Sequence, residues 1–267
     1  MLRDITLGQF FPGNSLIHRL DPRSKIIFIL LYIIFIFSIK NIFAYIFIAL
    51  FILICNYISK IPFKFMLKGV KPILFFIVLT AIFNLFLTPG EIILKFGFIT
   101  ITLEGIRMAL FMVFRLLFLI LGTSLLTLTT SPIVLTDGLE QLISPLKKIG
   151  VPSHEIAMMM TIALRFIPTL LEETDKIIKA QTARGADFET GNIIRRAKAM
   201  IPILIPLFIS AFRRADELAV AMECRCYHGG EGRTKLKILK FQKIDLYSFI
   251  FMIILGTTVI SFNFLSF

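Results

Sequence analysis

Two arginines stand out by what surrounds them. Arg184 lies in the small, polar stretch "AQTARGADFETG" (180–191), between Ala183 and Gly185. Arg225 lies in "AMECRCYHGG" (221–230), between Cys224 and Cys226. A guanidinium carries a planar fork of donors that matches a carboxylate or a phosphate with two parallel bonds. Small flanking residues let such a group enter a narrow groove. When Arg184 is set on Arg225, Asp175 falls on Asp216 and Ala180 on Ala221, so each arginine follows its aspartate by nine residues. A single arginine at a helix end needs no function, because the helix dipole favours a cation there by ~0.3–1 kcal/mol. A repeated pair points instead to two equivalent contact tips. Their partner would be acidic groups on another protein or, alternatively, phosphates and lipid headgroups.

The other chemistry-bearing residues give less. Cys224, Cys226 and His228 make three metal ligands and leave a tetrahedral site one short, so small-residue packing is the better reading and no metal is expected. With Cys55 they complete a set of three cysteines, too few for a disulfide framework. Met158, Met159 and Met160 read as an adaptable packing surface. No G-x-x-x-x-G-K-[ST] stretch is present, so the chain is not expected to bind ATP. His18 and His154 sit in no catalytic pattern, and neither catalytic residues nor a cofactor are expected. An enzyme clamping lipid phosphates with Arg184 and Arg225 would have only Asp187 and Glu223 as nearby acids, and it would be active as an isolated chain.

The elements that must carry the arginines are helical. Leu170, Leu171, Thr174, Ile177, Ile178 and Gln181 recur at helical spacing, with Glu172, Glu173, Lys176 and Lys179 on the other face. This predicts an amphipathic helix from near Pro168 to near Gly185. Phe208, Ala211, Phe212, Ala215, Ala219 and Met222 predict a second, running toward the stop signal Gly229-Gly230. Both lie in a region, 131–243, that holds 17 Lys/Arg and 12 Asp/Glu and is expected to be solvated. Arg165, near the start of the first helix, reads as a partner for Glu172 or Glu173.

Around this region the chain is greasy. Of 267 residues, 57% are hydrophobic, and the mean hydropathy is +0.88. That excludes a soluble domain and predicts an all-α integral membrane protein. Residues 26–59 are long enough for two short spans with a turn at Lys40-Asn41, since a span needs roughly 17–25 residues. Asp21-Pro22 reads as an N-cap with proline in the first turn, opening the first span. Lys60, Lys64, Lys68 and Lys71 interleave with apolar residues as a segment on a membrane surface. Further spans are expected from about Ile73 to Leu87, Arg107 to Leu128 and Leu246 to Leu265, with a hairpin around Gly97. This makes about five transmembrane helices: four in a membrane domain 1–130, a cytoplasmic domain 131–243, and a C-terminal helix in 244–267. Arg115 lies deep in the fourth span, where a charge costs ~2.5–3.5 kcal/mol, and should face the protein interior or a partner. Arg107 reads as an interfacial residue. The net charge of +12 is explained by basic cytoplasmic loops facing anionic lipid, the run Arg233–Lys243 among them, and nucleic acid is not invoked. Most Lys and Arg fall on one side if the N-terminus is inside, which places the chain in a bacterial cytoplasmic membrane as a multi-pass protein.

Here the residues resemble a known family. "ARGADF" and "AMECRCYHGG" are similar to the two Xaa-Arg-Xaa coupling motifs of the T component of energy-coupling factor transporters, a branch of the ABC importers. The core His18-Arg19-Leu20-Asp21-Pro22-Arg23 and the stretch 144–185 resemble the same family, and the likeness covers essentially the whole chain. Cys224-Arg225-Cys226 departs from the more usual Ala-Arg-Gly, but cysteine is also small, so the geometry should survive. The resemblance implies an L-shaped scaffold in which cytoplasmic coupling helices lie across two ABC ATPase subunits. Arg184 would enter a groove of one and Arg225 a groove of the other. The spans would cradle a small substrate-binding membrane protein, the S component. ATP-driven motion would then release a vitamin or a metal ion inside. It implies a non-enzymatic subunit of a shared vitamin system rather than a dedicated cobalt or nickel importer.

Overall fold

The computed structural model describes residues 10–96, 99–188, 192–230 and 239–264. Contacts divide them into two compact units: residues 140–230 form one, and residues 10–139 with 239–264 form the other.

The larger unit is a bundle of apolar helices. After a short turn, α1 (Leu16–Arg19), α2 (Pro22–Ser38) starts where expected: Asp21 caps it by accepting the Arg23 N–H at 2.9 Å, and Pro22 occupies the first turn. The break expected at Lys40-Asn41 lies between α2 and α3 (Ala44–Ser59), and the Asn41 side chain accepts the Phe43 N–H there. The basic segment forms α4 (Phe63–Val70), with Met66 and Val70 buried and its lysines exposed. α5 (Leu74–Leu87) follows after a bend of 58°. A two-stranded antiparallel hairpin, β1 (Ile92–Phe96) and β2 (Ile99–Thr102), pairs Leu94 with Ile101 and Phe96 with Ile99. Its expected centre, Gly97, lies outside the described residues. α6 (Leu103–Thr129) is four residues longer at its start than the hydropathy suggests, because Thr102 caps it by accepting the Gly105 N–H. α7 (Pro132–Ile143) leads out of the bundle, and α10 (Lys243–Phe264) returns to it.

The bundle core is one cluster, with Tyr32, Ile36, Ile48, Ile52, Leu128 and Val259 essentially inaccessible. Close approach is made by glycine. A Cβ at Gly122 of α6 would fall on the Tyr32 ring, and one at Gly256 of α10 would fall on the Phe35 ring. Tyr32 also donates its hydroxyl to the Phe118 carbonyl at 2.7 Å, which ties α2 to α6 at that level.

The second unit holds two long helices, α8 (Ser153–Ala183) and α9 (Ile193–Glu223), preceded by a 3-10 turn at Ser144–Ile149. α8 corrects the expected start at Pro168: that proline lies inside the helix, which begins fifteen residues earlier. A proline removes one backbone bond, and in a helix of 31 residues the turns on either side carry the helix through. α9 likewise runs through Pro202 and Pro206, and it ends at Glu223, ahead of Gly229-Gly230.

The architecture is that of an all-α membrane protein. Of the five expected spans, α6 and α10 are each long and apolar enough to cross a bilayer unaided. α4 with α5 passes as one bent pair, and α2 and α3 are shorter, at 17 and 16 residues. α8 passes the same length and apolarity test, although it was expected outside the bilayer. Its apolar first part is responsible; Glu172, Glu173, Asp175, Lys176 and Lys179 follow in the remainder.

Candidate coupling tips

Both arginines occupy the same position in the same local structure. At the end of α8, Gly185 N–H donates to Thr182 O and Ala186 N–H to Gln181 O, each at 3.0 Å. At the end of α9, Cys226 N–H donates to Glu223 O at 2.9 Å and Tyr227 N–H to Met222 O at 3.1 Å. Each pair is a Schellman closure, which satisfies the carbonyls a helix end would otherwise leave open. In each, the arginine is the C-cap and the next residue turns left-handed: Gly185 at φ +86° and Cys226 at φ +55°. The equivalence inferred from spacing thus extends to hydrogen bonds and dihedrals. Ala183, Arg184, Gly185, Cys224, Arg225 and Cys226 are all exposed. A Cβ on Gly185 would meet nothing within 4 Å, so that position is open as well as bare.

The two helices are joined by an ion pair, Arg214 Nη2 to Glu173 Oε2 at 2.8 Å. Glu173 precedes Arg184 by eleven residues, and Arg214 precedes Arg225 by the same number. The two positions are equivalent in the internal repeat. Each tip therefore stands about 16 Å beyond the joint, at 1.5 Å per residue. Arg165 was expected to pair with Glu172 or Glu173; Glu173 pairs with α9 instead. A partner 41 residues away gives no local signal.

Behind the second tip the chain passes Tyr227 to Gly230, and Gly230 lies against the His154 ring. His154 Nδ1 is 3.0 Å from Glu140 Oε1. Among the described residues, no three His, Cys, Asp or Glu side chains gather as a metal site would require.

The larger unit contains polar residues that spacing did not flag. Lys25 is 6% exposed, and its ammonium donates to Thr129 O, Thr130 Oγ1 and His18 O at 3.0–3.3 Å. Asp245, 2% exposed, accepts the N–H of Asp21 at 2.9 Å and of Gln242 at 2.8 Å. Asp21 itself binds Arg23, Oδ2 to Nη2 at 2.8 Å. Burial pushes the Asp21 carboxyl up, but its bonds to the Arg23 side chain and N–H outweigh this, and it is held below its ordinary value. These contacts fasten α1, α2, the end of α6 and α10 together. The motif around Asp21 is thus a structural knot of the bundle. Arg115 is oriented inward: Nη2 donates to Ile39 O, at the C-terminal end of α2, at 3.3 Å, and the guanidinium lies over the Phe111 and Phe37 rings at 4.6 and 5.5 Å. The negative end of a helix and two ring faces replace water for this charge.

Comparison with known proteins adds the family. The model of the cobalt transport protein family CbiQ matches residues 13–236, a stretch that contains both arginine tips. The chain belongs to this family. Curated relatives carry the name energy-coupling factor transporter transmembrane protein EcfT. That of Ruminiclostridium cellulolyticum is 58% identical over 260 residues, covering 97% of this chain and 95% of its own. That of Clostridium kluyveri is 57% identical, covering 92% of each chain. That of Bacillus subtilis is 48% identical, covering 96% of this chain and 97% of its own. As a member of the CbiQ/EcfT family, the chain is a membrane component of an energy-coupling factor transporter. The family resemblance read from the arginine motifs therefore holds across nearly the full chain.

Proposed function

We propose that this chain is the coupling scaffold of an energy-coupling factor importer, non-enzymatic itself and driven by two ABC ATPase subunits. Arg184 engages one ATPase and Arg225 the other. The observation that carries this is the matched pair of tips: the same Schellman closure, the same C-cap arginine and the same distance from the Glu173–Arg214 joint. Two equivalent tips suit two equivalent subunits. A guanidinium framed by small residues suits an acidic groove, where two parallel charge-assisted bonds form. ATP-driven approach of the subunits would move α8 and α9 as rigid pieces and displace a small substrate-binding S component held by the bundle. The region 131–243 then lies in the cytoplasm, with the N-terminus on the same side of a bacterial cell membrane. We favour a shared vitamin system; the relatives' name states no cargo, and the family description, which names cobalt, is the basis for a metal importer instead.

The double variant Arg184→Glu, Arg225→Glu sets carboxylate against carboxylate. It is expected to abolish ATP-driven uptake and to weaken assembly, read by transport into cells and by co-purification in mild detergent. Wild-type uptake and assembly in that variant would sink the role given to the arginines. In the wild-type preparation, mass spectrometry should find two ABC ATPases and one or more small membrane proteins, and those small proteins would name the cargo.

A further inference from the structure

The bundle contains a cavity of about 460 Å³ between α2, α3, α6 and α10, with α1 across one end. Its walls are stripes one helical turn apart: Phe28, Ile29 and Tyr32 on α2, Phe51, Ile54 and Ile58 on α3. Gly122 and Tyr32, where α6 meets α2, belong to its wall, which extends from there to α1. Stripes of eight or nine residues give a slot roughly 11 Å long.

Four of the polar side chains on its wall are already engaged; Cys55 and Tyr247 are the others there. Lys25 places its ammonium protons on three protein oxygens, and Tyr32 gives its proton to Phe118 O. Thr129 and Ser248 donate to their own helices, at Leu125 O and Ile244 O. A polar guest would lose its water and find few partners, which is costly, whereas a hydrocarbon loses nothing. The mouth is marked by wall residues that are also exposed: Leu16 at 55%, Ile54 at 36%, Tyr247 at 68% and Phe251 at 41%. It opens between α3 and α10, on the apolar outer surface of a membrane bundle. Three exposed cations adjoin the wall in sequence: Arg19 before Leu20, Lys60 after Ile58 and Lys243 before Ile244. The acids nearest them in sequence, Asp21 and Asp245, are buried and engaged.

We propose that this slot binds an anionic phospholipid, one acyl chain lying inside and the headgroup held at the cationic rim of Arg19, Lys60 and Lys243. The lipid fills the cavity and becomes part of the packing of the bundle.

The test is native mass spectrometry of the full chain in detergent, with palmitoyl-oleoyl phosphatidylglycerol or the matching phosphatidylcholine added. One phosphatidylglycerol should be retained in preference to phosphatidylcholine. Ser248→Phe fills the slot at little other cost, since the serine hydroxyl bonds only its own helix; it should weaken retention at least about tenfold. The variant Arg19→Gln, Lys60→Gln, Lys243→Gln should keep the slot and lose phosphatidylglycerol affinity by roughly a hundredfold. In the unmodified chain, Cys55 lines the slot, so phosphatidylglycerol should slow its alkylation by N-ethylmaleimide, followed on the Cys55 peptide, and phosphatidylcholine should not. Equal retention of the two lipids, wild-type retention by Ser248→Phe, or Cys55 alkylation indifferent to lipid would overturn the proposal.

Discussion

Cys226 holds a left-handed conformation that is natural at Gly185 and strained for any residue with a Cβ. The α9 tip is therefore built at a small cost in backbone energy that the α8 tip does not carry. Cys226→Gly should stabilise that helix end by about 0.5–1 kcal/mol, and Gly185→Ala should destabilise the other by a similar amount. Hydrogen exchange of the amides at 224–227 and 183–186 would read both. A Cys226→Gly variant that exchanges faster than wild type would refute the strain. At this scale the sequence was a good guide. Arginine between small residues, followed by glycine, spells a helix end, and the Asp21-Pro22 cap is equally local. The structural role of Cys226 was harder to read, because nothing in its neighbours announces a positive φ.

Elements were legible where one face is apolar and the ends carry signals. α2, α3 and α5 sit within a residue or two of the hydrophobic runs, apart from the extra first turn of α2. The start of α8 was misjudged because a long helix runs through Pro168, and α9 stops short of Gly229-Gly230 because the turn at Cys226 closes it first. Contacts between elements distant in sequence were invisible: Asp21 meets Asp245 across 224 residues. That knot has a pH signature. The Asp21 carboxyl is depressed below its ordinary 3.8, so its contribution is complete above that value and is lost as the pH falls through the folded one. Thermal stability in detergent should fall off on acidification below the ordinary carboxylate value in the wild type. Asp21→Asn keeps a capping oxygen but loses the Arg23 ion pair. It should be less stable at neutral pH and flatter in acid. An unaltered acid slope in Asp21→Asn would assign the effect elsewhere.

For the molecule as a whole, composition alone fixed the class. An arrangement with 57% hydrophobic residues and a separate charged stretch leaves few alternatives to a membrane bundle bearing a polar extension. The count of crossings was less readable, because α8 is apolar over its first part and α4–α5 is bent. Topology has a direct chemical test. Cys224 and Cys226 are exposed beside Arg225. A membrane-impermeant maleimide should label them in inside-out vesicles and leave them unlabelled in intact cells. Labelling of intact cells would invert the proposed orientation.

The ion pair between Glu173 and Arg214 has one more consequence. It makes α8 and α9 a pair of calipers with matched legs, pivoted at corresponding points. Calipers measure by length. Adding one residue to one leg would lengthen it by about 1.5 Å and swing its point around the axis by roughly 100°, whereas exchanging an exposed residue such as Lys179 would do neither. Between pivot and point, the chain is loosely constrained in spelling and strictly constrained in number.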